Sequence, residues 1–335
     1  MATTVSPDAA GVTTIGSWEA ENVTVGAVEA ALSDLRRHEQ RAAVRTSVLT
    51  LVAVVDDAQQ AEAALGVVSD LGARHPSRTI VLVVGEDDGD RRGLDAAASV
   101  HVVERQGTAI CYENVVLRVR GRARHHLDSV VEPFTLPDLP VVVWMPSRLP
   151  SPGDPLLGHA DRLVVDSRAV PEGSDALGLI AALGRRLRVT DLSWTRLAPW
   201  RSLLAGLFEG SINGPFLSGV RRVEVSGNSG PRHLMGGWLL RRLQLPKDAV
   251  ALAPAEHVAI RISAVSEDRT GTFVVERTGA ERAIESCIDI DGRPRVRQTL
   301  HMRRQWPALS LAGALTAVGT DESYREALAG ALELR

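Results

Sequence analysis

Two continuous apolar runs flanking a helix-patterned segment constrain this chain most. Residues 47–55 read SVLTLVAVV, and residues 78–84 read RTIVLVV. Neither run alternates apolar with polar residues, so each predicts a strand covered on both faces. Between them Asp56 or Asp57 offers a helix cap, and Ala61, Ala64, Leu65, Val68 and Leu71 follow at helical spacing. Strand, helix and strand in that order specify a parallel pair joined by a crossover helix.

The same grammar extends along the chain. A helix is predicted from about Thr24, through Val25, Val28, Leu32 and Leu35. Strands are predicted over 109–120, 140–145 and 162–165, a short helix over 124–131 and a longer helix over 175–187. After about residue 215 the pattern changes. A strand over 219–226 and a helix over 231–243 are followed by strands near 257–263, 271–277, 282–290 and 296–302, separated by short turns. A helix over 322–334, capped by Thr320 or Asp321, follows. The expected fold is α/β: an open, mostly parallel sheet with flanking helices over 23–214, then a smaller α+β domain with antiparallel strands over 215–335. Residues 1–22, rich in Thr, Ala and Gly, read as a flexible tail.

Composition removes several classes of function. The formal charge is −3, which argues against a nucleic-acid partner. Lys247 is the one lysine among 38 basic residues, so arginine dominance says little about phosphate binding. The apolar runs fall far short of the roughly 20 residues that a membrane helix needs. No secretory leader pattern is visible, so the chain reads as cytoplasmic. The acidic run Glu86–Asp90 reads as a solvated loop. Cys111 and Cys287 are far apart and belong to no metal-ligand pattern. Strand alternation at 284–290 sets Ile284, Ile288 and Ile290 against Glu285, Cys287 and Asp289, which makes Cys287 a candidate redox-sensitive thiol.

No reaction is written locally. The first strand is followed by VVDDAQQAEAAL, without the glycines of a dinucleotide turn, and the second by the acidic VVGEDDGD. The lone lysine lies outside any phosphate-binding loop. Gly227-Asn-Ser-Gly230 approaches a nucleophile elbow, but Ser229 precedes Pro231 and a helix, where a cap is expected; the same helix start could hold an anion. His125 and His126 are adjacent, so they diverge on a helix and share a metal poorly. No cofactor is expected.

Residues 190–204, TDLSWTRLAPWRSLL, concentrate two of the six tryptophans. Pro199 fits the first turn of a helix, or kinks a longer one capped by Asp191. Trp200, Leu203, Leu204 and Leu207 then share one face and form its core anchor. Trp194, Arg196 and Arg201 lie at the bend or off that face. Tryptophan and arginine are enriched at binding hot spots, so these three, with Trp144, are candidate partner-contact residues.

DLSWTRLAPWRSLL at 191–204 resembles a signature of the OpcA family of glucose-6-phosphate dehydrogenase assembly proteins. HHLDSVVEPFTLPDLPVVVWMP at 125–146 and RHPSRTIVLVV at 74–84 resemble two further family segments, in the same order and spacing. Ala198 stands where the family pattern has a capping Thr, and Met145 where a second Trp is usual. The resemblance implies a non-catalytic partner that binds glucose-6-phosphate dehydrogenase and promotes its active oligomer or conformation, at the entry to the pentose phosphate pathway. The rival reading is a sugar-phosphate sensor or enzyme of open α/β type. Its ligand would lie at the strand ends near Met145–Pro146 and Val84–Gly85.

Overall fold

A computed structural model describes residues 12–37, 47–71, 75–85, 93–105, 108–278, 283–301, 307–316, 319 and 321–335. The chain forms two compact units whose segments interleave. The first comprises Met1–Val165, Arg186–Thr190 and Trp306–Leu315. The second comprises Asp166–Arg185, Asp191–Gln305 and Thr316–Arg335. The division therefore differs from the single boundary expected near 214. The acidic run Glu86–Asp90 and Thr320 lie outside the described residues.

The first unit opens with β1 (Val12–Ala20), α1 (Val25–Arg37), β2 (Leu49–Val55), α2 (Ala58–Leu71) and β3 (Ser77–Val83). It continues with β4 (Gly93–Arg105), β5 (Thr108–Arg120), α3 (Leu127–Val131), β6 (Val141–Met145) and β7 (Arg162–Val165). Every residue of β2 is buried, as is most of β3, in keeping with unbroken apolar runs. Asp57 Oδ1 accepts the Gln60 N–H at 2.7 Å and so caps α2. Thr24 does the same for α1, accepting from Ala27 N at 3.3 Å. The sheet order is β1-β4-β5-β3-β2-β6-β7-β8, where β8 is Arg188–Asp191. Strands β5, β3, β2, β6 and β7 run parallel, whereas β4 pairs antiparallel with both β1 and β5.

Two features depart from the sequence expectation here. Residues 12–20 are not a tail but an edge strand, held along β4 from Val12↔Val103 to Ala20↔Ala96. Strand β4 itself was not predicted. Its buried face is Leu94, Ala96, Ala98, Val100 and Val102, a period-two pattern written partly in alanine, a weak strand former.

Two of the recognised segments have structural roles in this unit. Arg78, of the His-Pro-x-Arg stretch, donates from Nε to Glu113 Oε2 at 2.8 Å and from Nη1 to the Phe134 carbonyl at 3.0 Å. Arg36 Nη2 donates to the same carboxylate oxygen at 2.8 Å. Burial alone would raise the Glu113 pKa, but the two guanidiniums hold it below the usual carboxylate range. A three-residue network thus ties α1, β3, β5 and the EPF turn together.

The second unit contains α4 (Ala176–Leu183), α5 (Leu192–Arg196), α6 (Ala198–Leu207), α7 (Gly210–Asn213), β9 (Val220–Gly227) and α8 (Ser229–Arg242). Then follow β10 (Val250–Pro254), β11 (Ala259–Ser266), β12 (Arg269–Thr278), β13 (Ala283–Ile290) and β14 (Val296–His301). Helix α9 (Pro307–Thr316) lies almost wholly in the first unit, and α10 (Glu322–Glu333) completes the second. The six-stranded sheet runs β10-β9-β11-β12-β13-β14. Among the described strands of this sheet only β10, which was not predicted, pairs in parallel fashion, with β9; the other pairings are antiparallel. Phe208 and Phe216 pack against Phe273, with ring centroids 4.3 and 5.7 Å away. Helices α8 and α10 touch backbone to backbone at Gly237 and Gly330, because neither carries a Cβ.

Candidate functional site

The signature stretch builds a buried joint inside the second unit. Asp191 is 1% exposed, and its Oδ1 accepts the N–H groups of Ser193 (2.9 Å) and Ser167 (3.1 Å), which caps α5. Burial, together with the charge of Asp166, pushes its pKa up to about 6. Asp166 in turn accepts from the Ser193 hydroxyl at 2.7 Å and pairs with Arg196.

Trp194 occupies the centre of this joint and is 4% exposed. Its indole Nε1 donates to Asp321 Oδ2 at 2.8 Å, while Asp321 Oδ1 accepts from Tyr324 N at 3.0 Å and caps α10. The Tyr324 ring lies 5.9 Å away. From α6, the Arg201 guanidinium sits 3.5 Å above the indole centroid and donates to the Trp194 carbonyl at 2.8 Å. One aromatic side chain therefore fastens α5, α6 and α10 through a hydrogen bond, a cation–π contact and ring packing.

These positions correct several expectations. Trp194 and Trp144 are each only 4% exposed, so neither ring is presented to a partner. Arg196 and Arg201 are half-buried and engaged internally. The core anchor of α6 is narrower than expected: Leu204 and Leu207 are buried, whereas Trp200 and Leu203 are half-buried. Helix α6 begins after Leu197 without a side-chain cap, as Ala198 in place of threonine implies. Helix α8 begins after Asn228, and the Ser229 oxygen does not cap it. Cys287 is half-buried on β13, beside Val274 and Arg297, and Cys111 is buried.

The strand ends proposed for a sugar phosphate are occupied otherwise. Ser147 Oγ donates to Gln60 Oε1 at 2.7 Å and lies 3.2 Å from Asp56 Oδ2, while Arg148 pairs with Asp56 at 3.3 Å. Met145 and Val84 are buried. A carboxylate at this position disfavours an anionic ligand. Among the described residues no group of three His, Cys, Asp or Glu side chains is placed to hold a metal. None of the described helices is long and apolar enough to cross a membrane.

The open feature of the second unit is a groove of about 930 Å³ between α6–α7 and the β13–β14 edge. Pro199, Leu203, Ile212, Ile288, Val296 and Leu300 line it. Ile212, Val296 and Leu300 are 54%, 47% and 43% exposed. Strand β14 ends the sheet among the described strands, and all six of its residues are exposed. Sequence periodicity placed the strand but gave no sign that its apolar residues stay uncovered. Leu203 and Leu207, which the helical spacing assigns to the core face of α6, contribute to the groove wall.

Comparison with known proteins agrees with the motifs. A family model described as the glucose-6-phosphate dehydrogenase subunit N-terminal domain matches residues 68–182, and its C-terminal counterpart matches 187–328. An OxPP cycle protein OpcA from Synechocystis is 31% identical over 191 residues, covering 53% of this chain and 39% of the relative. The Nostoc punctiforme OpcA is 25% identical over 213 residues, covering 61% and 45%. The chain thus matches less than half the length of these curated relatives. A solved oxidoreductase from Sinorhizobium meliloti aligns over 85% of this chain and 87% of its own, at a TM-score of 0.36 and 10% identity, too weak a likeness to assign fold or activity. Two family domains matched in order, with the recognised segments in place, show that the chain belongs to the OpcA family of glucose-6-phosphate dehydrogenase assembly proteins.

Proposed function

We propose that this chain is a non-catalytic assembly factor that binds glucose-6-phosphate dehydrogenase, and that the α6–β14 groove receives the enzyme. The observation that carries the reading is the ordered match to both family domains, joined to an uncovered apolar groove flanked by the signature helix. Exposed isoleucine, valine and leucine side chains around one concavity are the composition of a contact centre. The edge of β14, unpaired among the described strands, adds a row of backbone donors and acceptors that an extended segment of the enzyme can pair with. Trp194, Arg196 and Arg201 act at one remove, as positioning residues that set the pose of α6. Activation follows if the factor binds the active oligomer or conformation of the enzyme more tightly than the inactive one. The reading requires both proteins to share the cytoplasm.

The test is co-elution with the cognate dehydrogenase, with mass measured by light scattering. Ile212→Asp and Leu300→Asp change exposed side chains and so leave the fold intact. Each is expected to weaken binding by roughly thirtyfold, the scale of a 2 kcal/mol hot spot. Binding equal to wild type in both variants would remove the groove from the account. Failure of the wild type to bind would remove the partner.

A further inference from the structure

Strand β14, unpaired on one side among the described strands, has few of the devices that keep sheet edges apart. Natural edges are blunted by bulges, by proline or by charges pointing into the buried face. Strand β14 pairs with β13 without a register shift, from Ile288↔Val296 to Ala283↔His301. Pro294 stands just outside it. Between Val296 and Leu300 the one charged side chain is Arg297, and Glu285 of β13 holds it, with Nη1 3.3 Å from Oε1. Val296, Gln298 and Leu300 line the groove. Alternation puts Arg297 and Thr299 on the opposite face of the sheet.

The five residues Val-Arg-Gln-Thr-Leu read as apolar, polar, amide, polar, apolar in either direction. An antiparallel copy centred on Gln298 therefore sets Val296 against Leu300 of the second copy, twice, on the groove face. It sets Arg297 against Thr299 on the other face. Other registers match less well. Centred on Arg297, two arginines would stand directly opposite one another, and Val296 would face the Gln298 amide. Centred on Thr299, Leu300 would face that amide and Arg297 would face His301. A slip by one residue would set every groove-face residue against one from the other face.

We propose that the free protein pairs through β14 with a second copy of itself, about a two-fold axis through Gln298, and that this pairing covers the groove until the enzyme displaces it. The pairing stands on the strand alone; its effect on the enzyme rests on the reading that the groove is the enzyme's contact. The axis runs perpendicular to the sheet, so the two sheets join edge to edge and both grooves open on the same side. Val296 and Leu300, exposed in the single chain, leave water against each other. Each Arg297 keeps its own Glu285, so no unpaired like charges meet at the seam. The same edge is used by both copies, so the contact closes at two and leaves no free β14 for a third.

The test is sedimentation velocity of the protein alone over a dilution series, without the dehydrogenase. Wild type is expected to dimerise reversibly. Gln298→Lys and Gln298→Glu each put two like charges face to face on the axis, and each should weaken dimerisation by roughly tenfold or more. Gln298 is exposed and lies opposite Ser286 of β13, so one charge there spares the fold. An equimolar mixture of the two variants sets lysine against glutamate and should recover the dimer. A wild type that stays monomeric overturns the proposal. So does a dimer that ignores both substitutions, or a pair of monomeric variants whose mixture stays monomeric. Titrating the wild-type dimer with the cognate dehydrogenase reads the displacement: the complex should form at the expense of the dimer. Enzyme that joins the dimer without dissociating it overturns the masking. Failure of the enzyme to bind removes the partner and leaves the dimer, whereas a monomer that binds enzyme removes the dimer and leaves the partner.

Discussion

Replacing Gly237 by alanine sets two effects of known size against each other. In the middle of α8, alanine is the better helix former by about 1 kcal/mol. A Cβ on Gly237, however, would lie 2.7 Å from the Gly330 carbonyl carbon, and closer still to the Ala331 amide nitrogen and Ala327 carbonyl oxygen of α10. These are backbone atoms, so no side-chain rotation relieves the contact and the two helices must separate. Overpacking of this kind costs about 1–3 kcal/mol, and with backbone on the receiving side the upper end applies. The net expectation is a loss of about 2 kcal/mol. Gly206 in α6 has nothing within 4 Å of its Cβ position, so Gly206→Ala should instead stabilise the same unit by up to about 1 kcal/mol. Urea unfolding followed by tryptophan fluorescence reads both. With a slope of about 2 kcal/mol per molar, the midpoint should fall by about 1 M for Gly237→Ala and rise for Gly206→Ala. A Gly237→Ala protein as stable as wild type would refute the backbone contact.

Two further outcomes follow from buried charge. Glu113→Gln leaves Arg36 and Arg78 facing each other without their counter-ion and should destabilise the first unit by about 3 kcal/mol. Because its folded pKa is lowered, Glu113 contributes stability above its ordinary value of 4.5 that fades as pH falls below it, and the variant should lose that acid dependence in pH-resolved denaturation. Asp191 has the opposite sign. With its pKa raised from 3.8 to about 6, the folded state binds the proton more tightly, so stability declines as pH rises through that window. Asp191→Asn keeps an acceptor for the two N–H groups and should abolish the decline; an unchanged pH profile would show that the burial of Asp191 has been misjudged.

Much of the first sheet was legible because its strands are unbroken branched apolar runs, and its helices carry caps such as Thr24 and Asp57. What escaped depends on partners remote in sequence. Residues 12–20 become a strand only because β4 offers an edge, and β4 uses alanine where branched residues would have announced it. Trp194 reads as a partner contact because tryptophan and arginine at a bend are enriched at binding hot spots; its indole is instead engaged internally by Asp321, 127 residues away. The helix expected over 231–243 forms as Ser229–Arg242, but its expected serine cap does not, and the Glu172 carboxylate accepts from the Ser229 N–H at that terminus. The groove was illegible because alternation in β14 predicts a covered face, and nothing local reports that no element covers it.

The central claim is that this chain acts on glucose-6-phosphate dehydrogenase through the α6–β14 groove. The most direct measurement is the initial rate of the cognate dehydrogenase titrated with wild type, Leu300→Asp and the folded control Gly66→Ala, a helix glycine of α2 outside the groove with nothing within 4 Å of its Cβ position. The account predicts saturable activation by wild type and by the control, with the Leu300→Asp curve displaced to roughly thirtyfold higher concentration. A rate that does not respond to wild type, or a Leu300→Asp curve that overlays it, would contradict the account.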